Sequence, residues 1–270
     1  MPRSIWRGTI SFGLVTIPVS VMPAVATNDI AFHLLDSRDL SPIHTKRVNE
    51  AGEEVAWELI VKGREVGDGR WITVTDDEIK AANVAATQTI DVLGAVCADE
   101  VPLSYFDTPY HLTPDKPGIK AYALLREALR ASGRIAIAQV VIRSRQHLCA
   151  LVPQGDLLVL ELLRYPRDLR AADDLAVPGS DLEALGITEA ELELANQLVA
   201  TIQGPWAPET YRDTFREEVL ALIERKAAGE AVTPTAPQPP AAVAPVIDIA
   251  ELLKRSVEEA RRAKTAGEAS

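Results

Sequence analysis

The sequence predicts an α+β fold, with strands in the first two thirds of the chain and helices in the last. Three observations carry this. Apolar residues alternate with small or polar ones between Ile10 and Val21. Three apolar runs, Ile135–Ile142, Leu148–Val152 and Leu157–Leu163, succeed one another across short loops at Arg143–His147 and Pro153–Asp156. From Glu189 onward the apolar spacing becomes helical. Period two marks a strand with one face buried, and a period near 3.6 marks an amphipathic helix. A chain of 270 residues, 47% hydrophobic, can bury one sizeable core and carry an appendage.

The N-terminal alternation has a rival reading. Arg3 and Arg7 precede the apolar stretch, and Ala24-Val25-Ala26 has the form of a signal-peptidase site. Prolines and interleaved Ser/Thr favour paired strands instead. Ile10, Phe12 and Leu14 alternate with Ser11 and Gly13, and Val15, Ile17, Val19 and Val21 with Thr16, Pro18 and Ser20. The single phase slip near Gly13 is what a bulge or bend gives. Short strands are expected to continue as far as Phe32-His33-Leu34-Leu35.

Residues 43–74 read as a charged, strand-like stretch. Val55, Trp57 and Leu59 alternate with Ala56 and Glu58, Gly67-Asp68-Gly69 is a turn signal, and Trp71–Val74 a strand. Thr75-Asp76-Asp77-Glu78 has capping-box spacing and should open a short helix through Asn83. Thr89–Val96 is the next strand. After a turn at Pro114–Gly118, Tyr122, Leu125, Ala128 and Leu129 share one helical face, and Gly133 closes that helix. Helices are expected at Glu189–Thr201, behind a second capping box at Thr188–Glu191, and at Pro208–Ala228. Residues 233–245 hold five prolines and no charge, the composition of an extended linker. Beyond it Asp248 can cap a last helix whose stripe is Ile249, Leu252, Leu253, Val257 and Ala260. That stripe either folds back on the protein's own core or, as tethered helices do, docks into a partner's groove.

No apolar run approaches the roughly 18 residues of a membrane span. The only two cysteines, Cys97 and Cys149, make no disulfide framework and point to a reducing cytoplasm. The formal charge of −11 argues against a polyanionic partner. Its distribution does not. Residues 1–114 are net −7, 115–170 net +5, 171–232 net −9 and 233–270 neutral. A basic middle on an acidic chain is a local field, and local fields govern binding.

Chemistry finds little support. The four histidines are scattered and neither cysteine has a CxxC neighbour, so no metal site is expected. His147 and Cys149 share a strand face, where a core pair outweighs a nucleophile and its base. Asp76, Asp77 and Glu78 would suit a magnesium nuclease, but helix capping explains them more simply. No phosphate loop, Rossmann or kinase signature is present, and no cofactor is implied. The basic residues say more. Lys46, Arg47, Lys62 and Arg64 flank an extended stretch, Arg143 and Arg145 sit at a hairpin tip, and Arg126, Arg130 and Arg134 lie along and after the central helix. Such positions suit phosphate oxygens, and few Asn or Gln accompany them to read base edges. The plainer alternative is a set of surface charges paired with abundant carboxylates.

The opening block, Ser4-Ile5-Trp6-Arg7-Gly8-Thr9-Ile10-Ser11-Phe12-Gly13-Leu14-Val15-Thr16-Ile17-Pro18-Val19, resembles that of the bacterial Ku family. So do Lys46-Arg47-Val48, Tyr105-Phe106-Asp107 with Pro109-Tyr110, Pro114-Asp115-Lys116-Pro117-Gly118, Arg164-Tyr165-Pro166 and Glu191-Leu192-Glu193-Leu194-Ala195. The resemblance spans about 1–228 plus the final helix. It implies a β-barrel core with peripheral helices, and an arm matching about 41–75 that closes a two-fold ring with a second copy. Duplex DNA ends thread that ring without base contacts. Lys46, Arg47, Lys62, Arg64, Arg143 and Arg145 match its lining, with Arg7 and Arg126 as further candidates. It also implies that the helical region at 185–228 assists the homodimer. The C-terminal helix at 248–270, reached through a linker at 229–247, would engage a multi-domain ATP-dependent ligase in double-strand break repair by non-homologous end joining. The location implied is the cytoplasm, at the nucleoid. The short neutral tail departs from relatives with lysine-rich tails. Two other classes stay open: a metal-dependent enzyme on DNA ends using the acidic trio, and a protein-interaction barrel with no DNA role.

Overall fold

The computed structural model describes residues 3–26, 28–82, 88–173, 175–230 and 249–267. They fall into two compact units, Met1–Ala172 and Asp173–Ser270.

The first unit is built on a closed barrel. β1 (Trp6–Phe12) and β2 (Val15–Pro23) form a hairpin around Gly13-Leu14, with Gly13 at φ 59°. The phase slip near Gly13 is therefore a chain reversal. Two further strands, β3 (Lys62–Glu65) and β4 (Trp71–Val74), pair with each other as a two-stranded sheet, and α1 (Asp76–Ala82) follows. β5 (Thr89–Cys97), β6 (Phe106–Pro114), α2 (Ile119–Ser132), β7 (Arg134–Ile142), β8 (Arg145–Gln154) and β9 (Leu157–Leu163) complete the unit. The barrel order is β1-β2-β6-β9-β8-β7-β5, returning to β1. Every pair round it is antiparallel except the closing one, where Thr9–Ser11 run parallel to Thr89–Asp91. Closure pairs each barrel strand on both sides.

Alternation decides what fills the barrel. Ile10, Ile17, Val19, Val21, Ile90, Leu112, Val140, Cys149, Leu151, Leu158 and Leu160 are buried in one cluster, so the interior is packed side chain and not a channel. α2 lies against β2, β7 and β8 and adds Tyr122, Leu125 and Leu129 to that cluster, while Ala128 stays exposed. Gly133 ends α2 in the left-handed conformation expected of it, at φ 64°. β6 has no counterpart in the sequence reading. Pro109 interrupts its pattern, and its pairing with β9 shifts register between Phe106 and Pro109, as a bulge does.

The arm between β2 and β5 differs more from expectation. Phe32–Leu34 form no strand and lie exposed, and Leu35 makes only an isolated bridge to Pro42. The alternating Val55–Leu59 is not a strand either. Val55 N donates to the Arg47 carbonyl at 2.9 Å, and Trp57–Leu59 form a single 3₁₀ turn closed by Leu59 N to Ala56 and Ile60 N to Trp57. The capping box at α1 is real: Thr75 N donates to Glu78 Oε2 at 2.8 Å, and Glu78 N to Thr75 Oγ1 at 3.2 Å. The helix end expected at Asn83 lies outside the described residues.

The second unit holds α3 (Glu189–Ile202), α4 (Thr214–Ala227) and α5 (Ile249–Gly267). Thr188 and Glu191 form the second capping box. α4 starts later than the sequence pattern because Pro208–Thr210 make a separate turn and Asp213 caps the helix, accepting from Arg216 N at 3.0 Å. α5 packs along α3. Most of the proline-rich segment and the expected cap Asp248 lie outside the described residues.

Candidate nucleic-acid interface

Strand direction sorts the cations between the two ends of the barrel. β7 runs into β8 through Arg143-Ser144, so Arg143 and Arg145 stand at one rim. β5 begins at that rim, because Ile90 pairs with Val140. β1 is parallel to β5, so Arg7, its second residue, belongs to the same end. β9 finishes there too, because Leu163 pairs with Leu148, and the chain continues into Tyr165 and Arg167. Arg126 has the opposite placement. Its Nη1 donates to the Asp156 carbonyl at 2.6 Å, in the β8–β9 turn at the far rim.

The partners of these side chains sort the same way. Arg7, Arg64, Arg143 and Arg145 make no ion pair among the described residues. Lys46 Nζ bonds Glu54 Oε2 at 2.8 Å with both side chains well exposed, and Lys62 bonds Asp76. Such surface pairs are weak and exchange readily for a phosphate. The Arg47 guanidinium lies 4.6 Å from the Trp57 ring centroid. Arg126 is different: its side chain is only 18% exposed and pairs with Glu127 at 2.8 Å. With Arg130, which bonds the Gly155 carbonyl, it clasps α2 to the β8–β9 turn.

A cleft of about 520 Å³ opens at the cationic rim. Arg145, Arg167, Tyr165, Gln139 and Gln146 line it, with Ile79 of α1 as one wall. Asp76, one turn earlier on α1, is the residue that holds Lys62, so α1 links the arm's hairpin to the barrel rim. The sequence marks Tyr165 only within the Arg164-Tyr165-Pro166 block and Arg167 only as part of the basic segment 115–170, because their position at the rim follows from where β9 ends.

The acidic trio is occupied with structure. Glu78 closes the capping box, where bonds from Thr75 hold its carboxyl below the usual range, and Asp76 takes Lys62. No group of three metal-ligating side chains occurs among the described residues. Burial pushes the Cys149 thiol up to about 12, which makes it an inert core residue. Burial, then the nearby Arg145, lowers the pKa of His147, while Asp107 and a backbone bond at Ile142 oppose this. Burial, then Asp107, raises that of Glu161. Among the described residues none of these groups belongs to a metal-ligand cluster.

The stripe on the last helix is divided. Val257 is 5% exposed and Leu253 half-buried, whereas Ile249 and Leu252 remain open to solvent. The face expected to meet a partner is thus partly covered within the chain. No helix among the described residues is long and apolar enough to cross a membrane.

The sequence is similar to those of known proteins. The family model described as the Ku70/Ku80 beta-barrel domain covers residues 11–194. The Non-homologous end joining protein Ku of Pseudomonas aeruginosa is 44% identical over 260 residues, 95% of this chain and 88% of that protein. Its namesake in Opitutus terrae is 42% identical over 258 residues, covering 95% and 92%. That of Coxiella burnetii is 39% identical over 264, covering 97% and 96%. With a closed barrel under the matched residues and such identity along nearly the whole chain, this protein belongs to the Ku family.

Proposed function

We propose that two copies of this chain close a ring that threads onto free duplex ends without reading sequence, and hold those ends for an ATP-dependent ligase. The observation that carries this is the gathering of Arg7, Arg143 and Arg145, unpaired with carboxylates among the described residues, at the rim where the arm leaves and re-enters the barrel. Relatives named for non-homologous end joining supply the setting. The arm supports a second copy: Trp57, Leu59, Val61 and Trp71 are each 64–73% exposed, more apolar surface than a lone arm leaves in water. Ile249 and Leu252, exposed on α5, are the face offered to the ligase.

The physics is electrostatic and topological. A duplex carries one charge per ~1.7 Å of axis, and neutralising phosphates releases condensed counterions. If the ring neutralises about 8 phosphates, log affinity falls against log salt with a slope near −7. Phosphate contacts position a protein but read no bases. The acidic segment 171–232 repels DNA and gives it no competing site of its own. A closed ring loads only where a duplex stops. The clamp needs no catalytic residue.

The test is a gel-shift competition at moderate salt, with a linear duplex of about 40 base pairs as probe, comfortably above the ~8 phosphates invoked. Excess linear DNA should displace the probe and covalently closed circular DNA should not. Equal competition by both would mean binding along the duplex and no threaded ring. No shift at low salt would remove the DNA reading altogether.

A further inference from the structure

We infer that the cleft between the β7–β8 turn and the chain after β9 seats a nucleic-acid phosphate group, with Arg167 as its second cation beside Arg145. This rests on the reading that the cationic rim meets DNA, and adds to it a site and a residue.

Two guanidiniums line the cleft, from segments more than twenty residues apart in sequence. A guanidinium is always charged, and its planar fork suits phosphate oxygens. Arg167 is held ready for such a ligand. Its guanidinium stacks on the Tyr165 ring at 4.8 Å, which fixes the side chain while leaving it 74% exposed. Its carboxylate neighbour Asp168 makes only a long, solvent-exposed pair with it. Asp168 Oδ1 is 3.9 Å from Arg167 Nε, at the limit of an ion pair, while its Oδ2 accepts the Tyr165 N–H at 3.2 Å. Neutral donors complete the lining: Gln146 Nε2 donates to Gln139 Oε1 at 2.7 Å, which leaves the Gln139 amide nitrogen as a donor. No carboxylate lines the cleft among the described residues. Ile79, which forms the far wall, belongs to the helix whose first acids bond away from the cleft where their partners are known, Asp76 to Lys62 and Glu78 to Thr75.

The ligand chemistry has two sources on a DNA end, a backbone phosphodiester and a 5′-terminal phosphomonoester. The experiment measures duplex affinity against salt for the full chain and for Arg167→Gln and Arg167→Lys, on probes with 5′-phosphate or 5′-hydroxyl ends. For each cleft engaged, Arg167→Gln should weaken binding roughly five- to tenfold near 0.1 M salt and flatten the log–log slope by about 0.9. Arg167→Lys should restore the slope. An equal loss on both probes identifies a phosphodiester, and a loss confined to the phosphorylated probe identifies the terminal group. If the wild type binds, Arg143→Glu weakens it and Arg167→Gln superimposes on the wild type, the cleft is not a phosphate site although the rim still meets DNA. If the wild type binds no duplex, both readings fall.

Discussion

The hydroxyl of Tyr122 donates to the carbonyl of Leu112 at 2.8 Å, at the place where β6 and β9 stop pairing. The same oxygen accepts the Leu158 N–H at 2.6 Å. One side chain from α2 thus satisfies two buried backbone groups and ties the helix to the strand ends. Tyr122→Phe keeps the ring in the core but leaves both groups without a partner. It should cost about 1–3 kcal/mol in chemical denaturation, with little change in DNA affinity. A loss below half a kcal/mol would show that water or a shifted strand replaces the hydroxyl.

Arg126 and the rim arginines should separate stability from binding. Arg126→Ala removes the clasp between α2 and the β8–β9 turn, so it should lower the thermal midpoint by a few degrees, as ~1 kcal/mol does in a domain of this size. The salt slope of DNA binding should stay as in the wild type. Arg143→Glu with Arg145→Glu should do the reverse, preserving the melt and abolishing binding at moderate salt. If Arg126→Ala alone flattens the slope, the far rim also meets phosphate.

The β7–β8 turn sets function against fold. Arg143 and Ser144 both have positive φ, 50° and 65°, where two-residue hairpin turns favour Asn-Gly. Holding ordinary side chains there costs on the order of 1 kcal/mol each. The double variant Arg143→Asn, Ser144→Gly should therefore raise stability by about 1 kcal/mol while weakening DNA binding. Unchanged affinity would assign the turn's arginine no contact.

Glu161 should give an acid-side signature. Burial, then Asp107, raises its pKa in the folded protein above the unfolded value, so the folded state holds its proton more tightly. Its contribution is present at low pH and is lost as pH rises through the folded value. Glu161→Gln should melt higher than the wild type at pH 7, and the difference should vanish below about pH 4.5. A difference that persists at low pH would assign the effect to packing.

What the sequence shows of this architecture is mostly local. The capping boxes at Thr75 and Thr188 bond as their spacing indicates, because their partners lie three residues away. The meander of β7, β8 and β9 is legible because its turns are short. β6 is hidden by Pro109 and a register shift. The seam between Thr9–Ser11 and Thr89–Asp91 joins segments separated by the whole arm, and no local pattern announces it. The basic residues are visible as a list, but their division between two rims depends on strand direction. So Arg126, near Arg143 in sequence, turns to the far end and holds a loop, while the unremarked Arg167 arrives beside Arg145.

That seam also governs how the chain folds. Residues 24–88 leave the barrel at the end of β2 and return at the start of β5, on either side of β1 and at the same rim. The last staves can join only after this excursion has been looped out, so contacts of long sequence separation come late and closure should be slow. The equilibrium cost is far gentler. Loop-closure entropy grows only with the logarithm of length, about 0.6 kcal/mol per doubling. An arm can therefore lengthen, shorten or change its contacts with little effect on the barrel's stability, and replacing it by a brief glycine-serine connection should leave a barrel that folds faster and stands alone.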